Sequence, residues 1–319
     1  MDVKCLSQAV TDKYALYHGD ACEVLAALPD NSVGHSVFSP PFSDLYCYSD
    51  SPRDLGNCKS HEEFMAHFMV IASELHRVMK YGRVVAVHCM DLPAQKERDG
   101  YIGLKDFSGE IIRLFQSAGF IYHSRVVIWK DPLIAATRTK AIGLMHKQIC
   151  KDSALCRMGI PDQVIAFRKG GENDTPIENP DGLSRYAGAN DPGLTGVKRS
   201  HMIWRAYASP IWDDIRQSGV LKRAAARMND DEKHVCPLQL DVVERCLTLW
   251  SRKGDVVLTP FMGVGSEAFM AVKMGRKAIG VELKDTYYRQ AVSNVEQAAT
   301  EQNDHADLID MASEVESHA

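Results

Sequence analysis

Apolar residues follow two different patterns along the chain. Short runs of consecutive apolar residues, typical of strands buried on both faces of a parallel sheet, cover residues 33–38, 84–87, 121–129, 163–167, 255–258 and 277–281. Apolar residues at helical spacing cover residues 62–79, 107–117 and 266–274. Because strands and helices alternate, the pattern predicts an α/β fold built on a doubly wound, mostly parallel sheet.

A glycine turn follows the apolar run at 255–258. Residues 259–265 are Thr-Pro-Phe-Met-Gly-Val-Gly, and the missing side chains at Gly263 and Gly265 would let a ligand approach the backbone. Glu282 ends the next apolar run about twenty residues later, where a Rossmann-like unit binds ribose hydroxyls. Ala268 stands in place of the third glycine of the dinucleotide fingerprint. The turn therefore predicts a nucleoside cofactor, and it favours S-adenosyl-L-methionine, which has no pyrophosphate, over NAD.

A second motif, Ser-Pro-Pro-Phe at residues 39–42, follows the first apolar run. The Ser39 hydroxyl and the Pro40 carbonyl can accept hydrogen bonds from an exocyclic base amine, whose lone pair is otherwise delocalised into the ring. Phe42 offers a stacking surface for a base flipped out of a duplex, and Tyr46 and Tyr48 would extend it. Alone, the tetrapeptide is more typical of a stiff turn. Together with the glycine turn it predicts methyl transfer to a nucleobase.

With both motifs in place, the chain resembles the amino-methyltransferases of DNA. More narrowly it resembles the β-ordered group, in which the catalytic motif precedes a target-recognition region and the cofactor motif comes last. The resemblance covers most of the chain and implies a Rossmann-like, S-adenosyl-L-methionine-dependent methyltransferase fold with permuted motif order. It implies catalytic roles for Ser39, Pro40, Pro41 and Phe42. It implies cofactor contacts by Asp20, Pro260, Phe261, Gly263, Gly265, Ser266, Glu282, His234, Pro237 and Leu238.

The chain departs from the family pattern at two places near the cofactor turn. Thr259 stands where the family commonly has Asp, and Ser266 with Glu267 replaces a pair of small hydroxyl residues. Both departures affect expected cofactor contacts.

The resemblance also bears on the target base. Ser39, in place of Asp or Asn, implies N4 of cytosine, and N6 of adenine is the alternative within the same machinery. Methylation at cytosine C5 is excluded because no proline in the chain is followed by cysteine. RNA as substrate stays open, as does a protein of another class, a catalytically idle DNA-binding or cofactor-sensing protein.

His88, Cys89 and Asp91 follow the apolar run at 84–87, where ligand clefts of α/β proteins open. A role facing the base or cofactor is conceivable there. An ordinary strand end is the favoured interpretation.

Charge is distributed unevenly over a chain of net charge −5. The segment from Glu296 onward is acidic, whereas two interior stretches are basic, one from Lys130 to Lys169 and one from 198 to 227. Basic stretches on either side of a recognition region predict phosphate contacts. The expected nucleic-acid contacts, besides Tyr46 and Tyr48, are Lys198, Arg199, Arg205, Lys222 and Arg223.

These features divide the 319 residues into four segments. Residues 1–130 form the catalytic half of the methyltransferase domain, and 131–233 form an inserted target-recognition region, of which 163–169 could return to the sheet. Residues 234–295 form the cofactor-binding half, and 296–319 form an acidic tail that is either a frayed helix or disordered.

Composition adds the expected setting. The odd count of nine cysteines, without repeated C-x-x-C spacing, indicates reduced thiols, and no metal site is expected. Without a membrane-spanning run or a secretion signal, we expect a cytoplasmic, nucleoid-associated protein of bacterial or phage origin that does not bind membranes. Double-stranded DNA is the expected partner. The recognition sequence, a homodimeric state and a cognate restriction endonuclease stay open.

Overall fold

The computed structural model describes residues 3–42, 58, 60–139, 143–180, 182–184, 196–221 and 237–317. Its strands are β1 (Ser7–Val10), β2 (Tyr14–His18), β3 (His35–Phe38), β4 (Val84–Cys89), β5 (Leu92–Ala94), β6 (Gly103–Lys105), β7 (Phe120–Ile128), β8 (Asp162–Lys169), β9 (Ile211–Trp212), β10 (Val256–Thr259) and β11 (Lys277–Glu282). Its helices are α1 (Ala21–Ala27), α2 (His61–Val78), α3 (Lys96–Asp99), α4 (Phe107–Ser117), α5 (Pro132–Thr139), α6 (His146–Ile149), α7 (Gly196–Tyr207), α8 (Leu240–Trp250), α9 (Ser266–Lys273) and α10 (Asp285–Ser317), with a 3-10 turn at Ser153–Leu155.

The main sheet of the described chain has the strand order β1-β2-β11-β10-β3-β4-β8-β7-β9. Strands β2, β11, β10, β3 and β4 are mutually parallel, and β8 runs antiparallel to both of its neighbours, β4 and β7. Strands β5 and β6 form a separate hairpin. The predicted mostly parallel, doubly wound α/β fold is confirmed.

The strands are apolar on both faces because helices cover both. All residues of β3 and β4 are buried. One face packs against α8, α9 and α10, and the other packs against α1, α2 and α4. Three of these helices begin at side-chain caps: Asp20 caps α1, Ser60 accepts from the Glu63 amide at 3.2 Å at the start of α2, and Asp106 accepts from the Gly109 amide at 2.9 Å at the start of α4. The core therefore lies as two layers on either side of the sheet.

Within the expected target-recognition region, two described strands pair with the main sheet. Strand β8 lies in the main sheet between β4 and β7, as the alternative for 163–169 allowed, and β9 pairs with β7 through residues 211 and 212. Two strands of the segment from 131 to 233, β8 and β9, thus belong to the main sheet. Among described residues, the rest of this segment carries the helices α5, α6 and α7.

The expected tail boundary at 296 is too early. Ala298 is fully buried, continuing the packed face of α10 from Ala291 and Val295 at helical spacing. Glu301 pairs with Lys273 of α9 at 3.0 Å. Helix α10 therefore remains part of the domain beyond the first acidic residues.

In the part of the chain that the structure describes, every helix is too short or too polar to cross a membrane.

Candidate functional site

Strands β10 and β3 are neighbours whose connections diverge. From β10 the chain passes through α9 to β11 on one side, and from β3 it passes through α2 to β4 on the other. In open α/β sheets, such a switch point leaves a crevice at the carboxyl ends of the strands, where ligands bind. Topology alone places a site at the ends of β3 and β10.

Both sequence motifs follow these two strands. Ser39 comes directly after β3, and Pro260 comes directly after β10. The rings of Phe38 and Phe261 lie 5.7 Å apart, so the two motifs start side by side. More than two hundred residues of sequence thus separate groups that share one crevice.

The two glycines of the turn have different surroundings. Both have positive φ, +55° at Gly263 and +91° at Gly265, which favours glycine. A Cβ atom on Gly263 would meet nothing within 4 Å, whereas one on Gly265 would lie 3.1 Å from the Ala291 Cβ atom of α10. Gly263 therefore borders open space that a ligand can occupy, and Gly265 lets α10 pack closely.

Glu282, at the end of β11, holds the turn in place. Its Oε2 accepts from the Gly263 amide and its Oε1 accepts from the Lys284 amide, each at 2.8 Å. The Gly19 amide donates to the Glu282 carbonyl at 3.0 Å, which brings Asp20 to the same edge of the sheet. Asp20 caps α1 by accepting from the Cys22 amide at 2.8 Å. The structure thus gathers three of the predicted cofactor residues around the end of β11.

The residues present fit S-adenosyl-L-methionine. The hydroxyls of Thr259 and Ser266 are buried at the end of β10 and the start of α9, and among the described residues neither has a hydrogen-bond partner. Buried hydroxyls normally have partners, so these two are suited to the polar groups of a ligand. A carboxylate for the ribose diol, two buried hydroxyls and open space above Gly263 match a nucleoside with a polar amino-acid end.

Glu267, one residue into α9, is the unusual group of this site. It is 4% exposed, and burial together with the nearby negative charge of Glu282 raises its pKa to about 8. The side chain is therefore a neutral acid at neutral pH. A neutral carboxyl can donate a hydrogen bond, which the hydroxyl that the family commonly has here can also do.

The catalytic motif is partly accessible. Pro40 is buried, whereas Ser39, Pro41 and Phe42 are partly exposed. The Phe42 ring lies 6.3 Å from that of Phe107 at an interplanar angle of 65°, an edge contact that fixes one side of the ring.

The sequence did not predict that a series of polar side chains lies next to Ser39. His88, on the strand beside β3, has Nδ1 3.3 Å from the Ser39 hydroxyl oxygen and Nε2 3.4 Å from Oδ2 of Asp162. Asp162 also pairs with Lys130. The sequence favoured an ordinary strand end for His88, and the structure adds a contact between its ring and Ser39. A polar residue at the carboxyl end of a strand beside the catalytic strand was the available signal.

Two lysines of the first basic stretch are not available for phosphate contacts. Lys169 is buried, and its ammonium donates to Asn31 Oδ1 and to the Met79 carbonyl, each at 2.8 Å. Lys130 pairs with the buried Asp162. The expectation of phosphate contacts is wrong for both, because folding directs these charges inward.

The other predicted residues are spread over the described chain. Lys198, Arg199 and Arg205 are exposed on α7. Leu238 is buried in the core and Pro237 is partly buried, just before α8, and cofactor contacts by these two stay predictions. The remaining predicted residues, Tyr46, Tyr48, Lys222, Arg223 and His234, lie outside the described residues. No group of three or more metal-ligating side chains within the described ranges is arranged to hold a metal ion.

Proteins of similar sequence or fold include named DNA methyltransferases. The Type II methyltransferase M.BglI of Bacillus subtilis is 22% identical over 340 residues, covering 93% of this chain and 90% of its own. The DNA adenine methyltransferase YhdJ of Escherichia coli is 23% identical, covering 89% of this chain and 83% of its own.

Two solved structures share the fold. The cytosine-N4-specific PvuII DNA methyltransferase has a TM-score of 0.61 at 16% identity, covering 92% of this chain and 93% of its own. TTHA0409 of Thermus thermophilus, complexed with S-adenosyl-L-methionine, has a TM-score of 0.63 at 23% identity, covering 89% of this chain and 93% of its own.

The family model of N6- and N4-type DNA methylases matches residues 33–293, a range that contains both motifs of the crevice. The chain therefore belongs to the N6/N4 family of DNA methylases, enzymes that take a methyl group from S-adenosyl-L-methionine and transfer it to an amino nitrogen of a DNA base.

Proposed function

We propose that the protein is a sequence-specific DNA methyltransferase that methylates N4 of a flipped cytosine. The observation that carries this proposal is the position of Ser39, at the end of β3 beside the glycine turn. A neutral hydroxyl at this position of the family motif favours cytosine. Adenine N6 remains the second candidate because YhdJ, an adenine methyltransferase, is among the relatives.

The chemistry follows from the motif. S-adenosyl-L-methionine supplies an electrophilic methyl group, whose bond to sulfur breaks with the electron pair staying on sulfur as the new bond to nitrogen forms. Ser39 Oγ and the Pro40 carbonyl accept hydrogen bonds from the amine and draw its nitrogen toward tetrahedral geometry. Pro41 keeps the loop preorganised, and Phe42 stacks on the flipped base.

Cofactor binding is proposed for the residues around the glycine turn. Glu282 accepts from the ribose hydroxyls, the Gly263 backbone borders the ligand, and Ser266 bonds to the amino-acid end. Asp20, at the neighbouring strand end, faces the adenine. We also propose cofactor contacts for the remaining positions of the family pattern, which are Pro260, Phe261, Gly265, His234, Pro237 and Leu238.

Helix α7 is the proposed phosphate-binding element among the described residues. Ile203 and Tyr207 bury one side of it, and the exposed side carries Lys198 and Arg205. The Tyr207 hydroxyl donates to Glu244 of α8 at 2.9 Å, which fixes the helix on the domain. A basic helix that is held in place by packing and a hydrogen bond is suited to phosphate contacts along a duplex. Arg199 of the same helix and Lys222, Arg223, Tyr46 and Tyr48 complete the proposed DNA contacts.

The setting that we propose is a restriction-modification system in the cytoplasm, with a cognate endonuclease as partner. The relative M.BglI is named as a Type II methyltransferase, which supports this setting.

Product analysis tests the proposed activity. The purified protein is incubated with unmethylated double-stranded DNA and S-adenosyl-L-methionine, and the digested nucleosides are measured by mass spectrometry. We expect N4-methylcytosine, and about 10²-fold slower transfer with unchanged cofactor affinity for Ser39→Ala, because one preorganised polar group is lost. N6-methyladenine alone would replace the cytosine assignment by the adenine one. The absence of any methylated base would favour the idle binder.

A further inference from the structure

Ser39 is connected to a buried ion pair through one imidazole ring. His88, at the carboxyl end of β4, lies with Nδ1 3.3 Å from Ser39 Oγ and Nε2 3.4 Å from Asp162 Oδ2. The side chains of His88 and Asp162 are only 9% and 4% exposed, and the contact at Nε2 has the distance of an ion pair without the geometry of a hydrogen bond. Water therefore competes little for these contacts, and the protein itself decides which atoms carry protons.

The charge on Asp162 determines which atoms donate and which accept between Asp162, His88 and Ser39. Burial opposes ionisation of Asp162, but His88 and Lys130 outweigh it and lower its pKa, so the carboxyl is ionised at neutral pH. A carboxylate beside Nε2 favours the imidazole tautomer with its proton on Nε2. Nδ1 then presents a lone pair and accepts from the Ser39 hydroxyl. With its own proton directed at His88, Ser39 Oγ offers its lone pairs to a base amine.

The reaction produces a proton that this chain can accept. When the amine nitrogen forms its bond to the methyl carbon, it becomes positively charged and must lose one N–H proton. Ser39 Oγ can take that proton as its own hydroxyl proton passes to His88 Nδ1. The resulting imidazolium lies against the Asp162 carboxylate, and the proton leaves to water after the product is released.

We propose that His88 is a positioning residue for Ser39, held in its tautomer by Asp162, which orients the serine hydroxyl and receives through it the proton that the target amine loses. This inference rests on the proposed methyl transfer. It goes beyond the family motif because His88 and Asp162 lie outside both sequence motifs, on β4 and at the start of β8.

The groups around His88 that titrate or carry charge come from several elements. Among the described residues, β8 contributes Asp162, and Lys130 follows β7. The chain just after His88 contributes Cys89 and Asp91, and the pKa of the Cys89 thiol is raised well above its ordinary value by burial. Asp91 accepts from the Ser108 amide and hydroxyl of α4, and Arg125 of β7 faces Cys89. Asp162 is thus the acid that contacts the ring, and it is the second residue to vary.

Two substitutions separate proton acceptance from packing. In His88→Asn, the amide oxygen can replace Nδ1 as an acceptor for Ser39 but takes up no proton near neutral pH. In Asp162→Asn, the size is kept and the charge is lost. His123→Asn is the matched control, because His123 is an exposed residue of β7 whose Nδ1 lies 3.0 Å from Ser124 Oγ, the same pair of residue types away from the crevice.

The measurement is the single-turnover rate of methyl transfer to DNA from about pH 5 to about pH 8, where imidazole titrates. We expect the wild type and His123→Asn to lose rate on the acid side. We expect His88→Asn to be about 10²-fold slower at neutral pH, with a flatter profile. Asp162→Asn should be slowed by a comparable factor, because the wrong tautomer turns the Ser39 hydroxyl away. Cofactor affinity, measured by calorimetry, should stay at the wild-type value in both variants and so report that they fold.

A double variant adds a second criterion. Because His88 acts through Ser39, Ser39→Ala combined with His88→Asn should be no slower than Ser39→Ala alone. Multiplied losses would overturn the inference, as would a His88→Asn enzyme with the wild-type rate and pH profile. If His88→Asn loses cofactor binding, Asp162→Asn decides alone, and a wild-type rate in that variant would overturn the inference. A wild-type enzyme that methylates no base would reject the proposed function instead, so the two failures are distinguishable.

Discussion

At the scale of single residues, the proposed ribose ligand Glu282 also has a structural task. The Glu282 carboxylate accepts from two backbone amides, those of Gly263 and Lys284, and so fixes the glycine turn before any ligand binds. Each carboxylate oxygen has a second lone pair, which leaves capacity for ribose hydroxyls. The residue that would bind the ribose therefore also shapes the surface on which the ribose lies.

Glu282→Gln tests this combination. The amide replaces one acceptor oxygen by an NH₂ group, which leaves either the Gly263 or the Lys284 amide without its acceptor. We expect S-adenosyl-L-methionine affinity to fall by about 1.5 to 3 kcal/mol, the range for hydrogen bonds to charged groups. Calorimetric titration measures it, with Glu301→Gln on α10 as the control outside the crevice. Equal affinities in both variants and the wild type would mean that Glu282 does not contact the cofactor.

At the scale of elements, the first turn of α9 contains a carboxyl group whose ionisation is opposed by folding. Glu267 lies in the first turn of this helix, and burial together with Glu282 raises its pKa to about 8 from an ordinary value of 4.5. Between these two values the folded protein holds a proton that the unfolded chain has released. Folding stability must therefore fall as pH rises through this window.

Glu267→Gln should remove that dependence. We expect the free energy of unfolding of the wild type to decline from about pH 5 to about pH 8 relative to that of the variant, which keeps a neutral side chain throughout. Urea denaturation at a series of pH values measures the difference, and Glu97→Gln, exposed on α3, is the control. Parallel curves for the wild type and Glu267→Gln would show that Glu267 is ionised in the folded state.

At the scale of the whole molecule, the distribution of charge matters more than its sum. The net charge of −5 repels DNA, yet α7, which packs against the domain, exposes Lys198, Arg199 and Arg205. In the proposed binding mode, association with a duplex depends on the few cations that reach phosphates, and each such contact would release counterions.

Replacing Lys198 and Arg205 by Ala should weaken binding to all DNA sequences alike. The slope of log affinity against log salt should flatten by about 0.9 for each lost phosphate contact. Fluorescence titration at several salt concentrations measures it. The control pair is Lys253→Ala with Lys277→Ala, two exposed residues at the amino ends of β10 and β11, opposite the crevice. A slope equal to that of the control pair would assign α7 to ordinary surface.

The sequence by itself predicted the central strands, the long helices beside them and the segments that carry the two motifs. Periodicity predicted residues 107–117 as a helix, and α4 has these bounds. The run at 277–281 differs from β11 by one residue. Such elements depend on local patterns of burial, and the motifs follow their strands directly along the chain. Because the carboxyl ends of parallel strands in one sheet share an edge, two motifs that each directly follow such a strand are expected at the same edge of the sheet.

Tertiary structure alone decided which polar groups meet. Strand β8 enters the sheet antiparallel beside β4, and this pairing brings Asp162 to His88. The same folding turns Lys130 and Lys169 inward and continues the packing of α10 past residue 296. These outcomes depend on contacts between residues far apart in sequence, and local patterns carry no information about strand order or about which charges become buried. The sequence thus determined the class of reaction, methyl transfer to a base, and the fold decided that His88 and Asp162 lie next to Ser39.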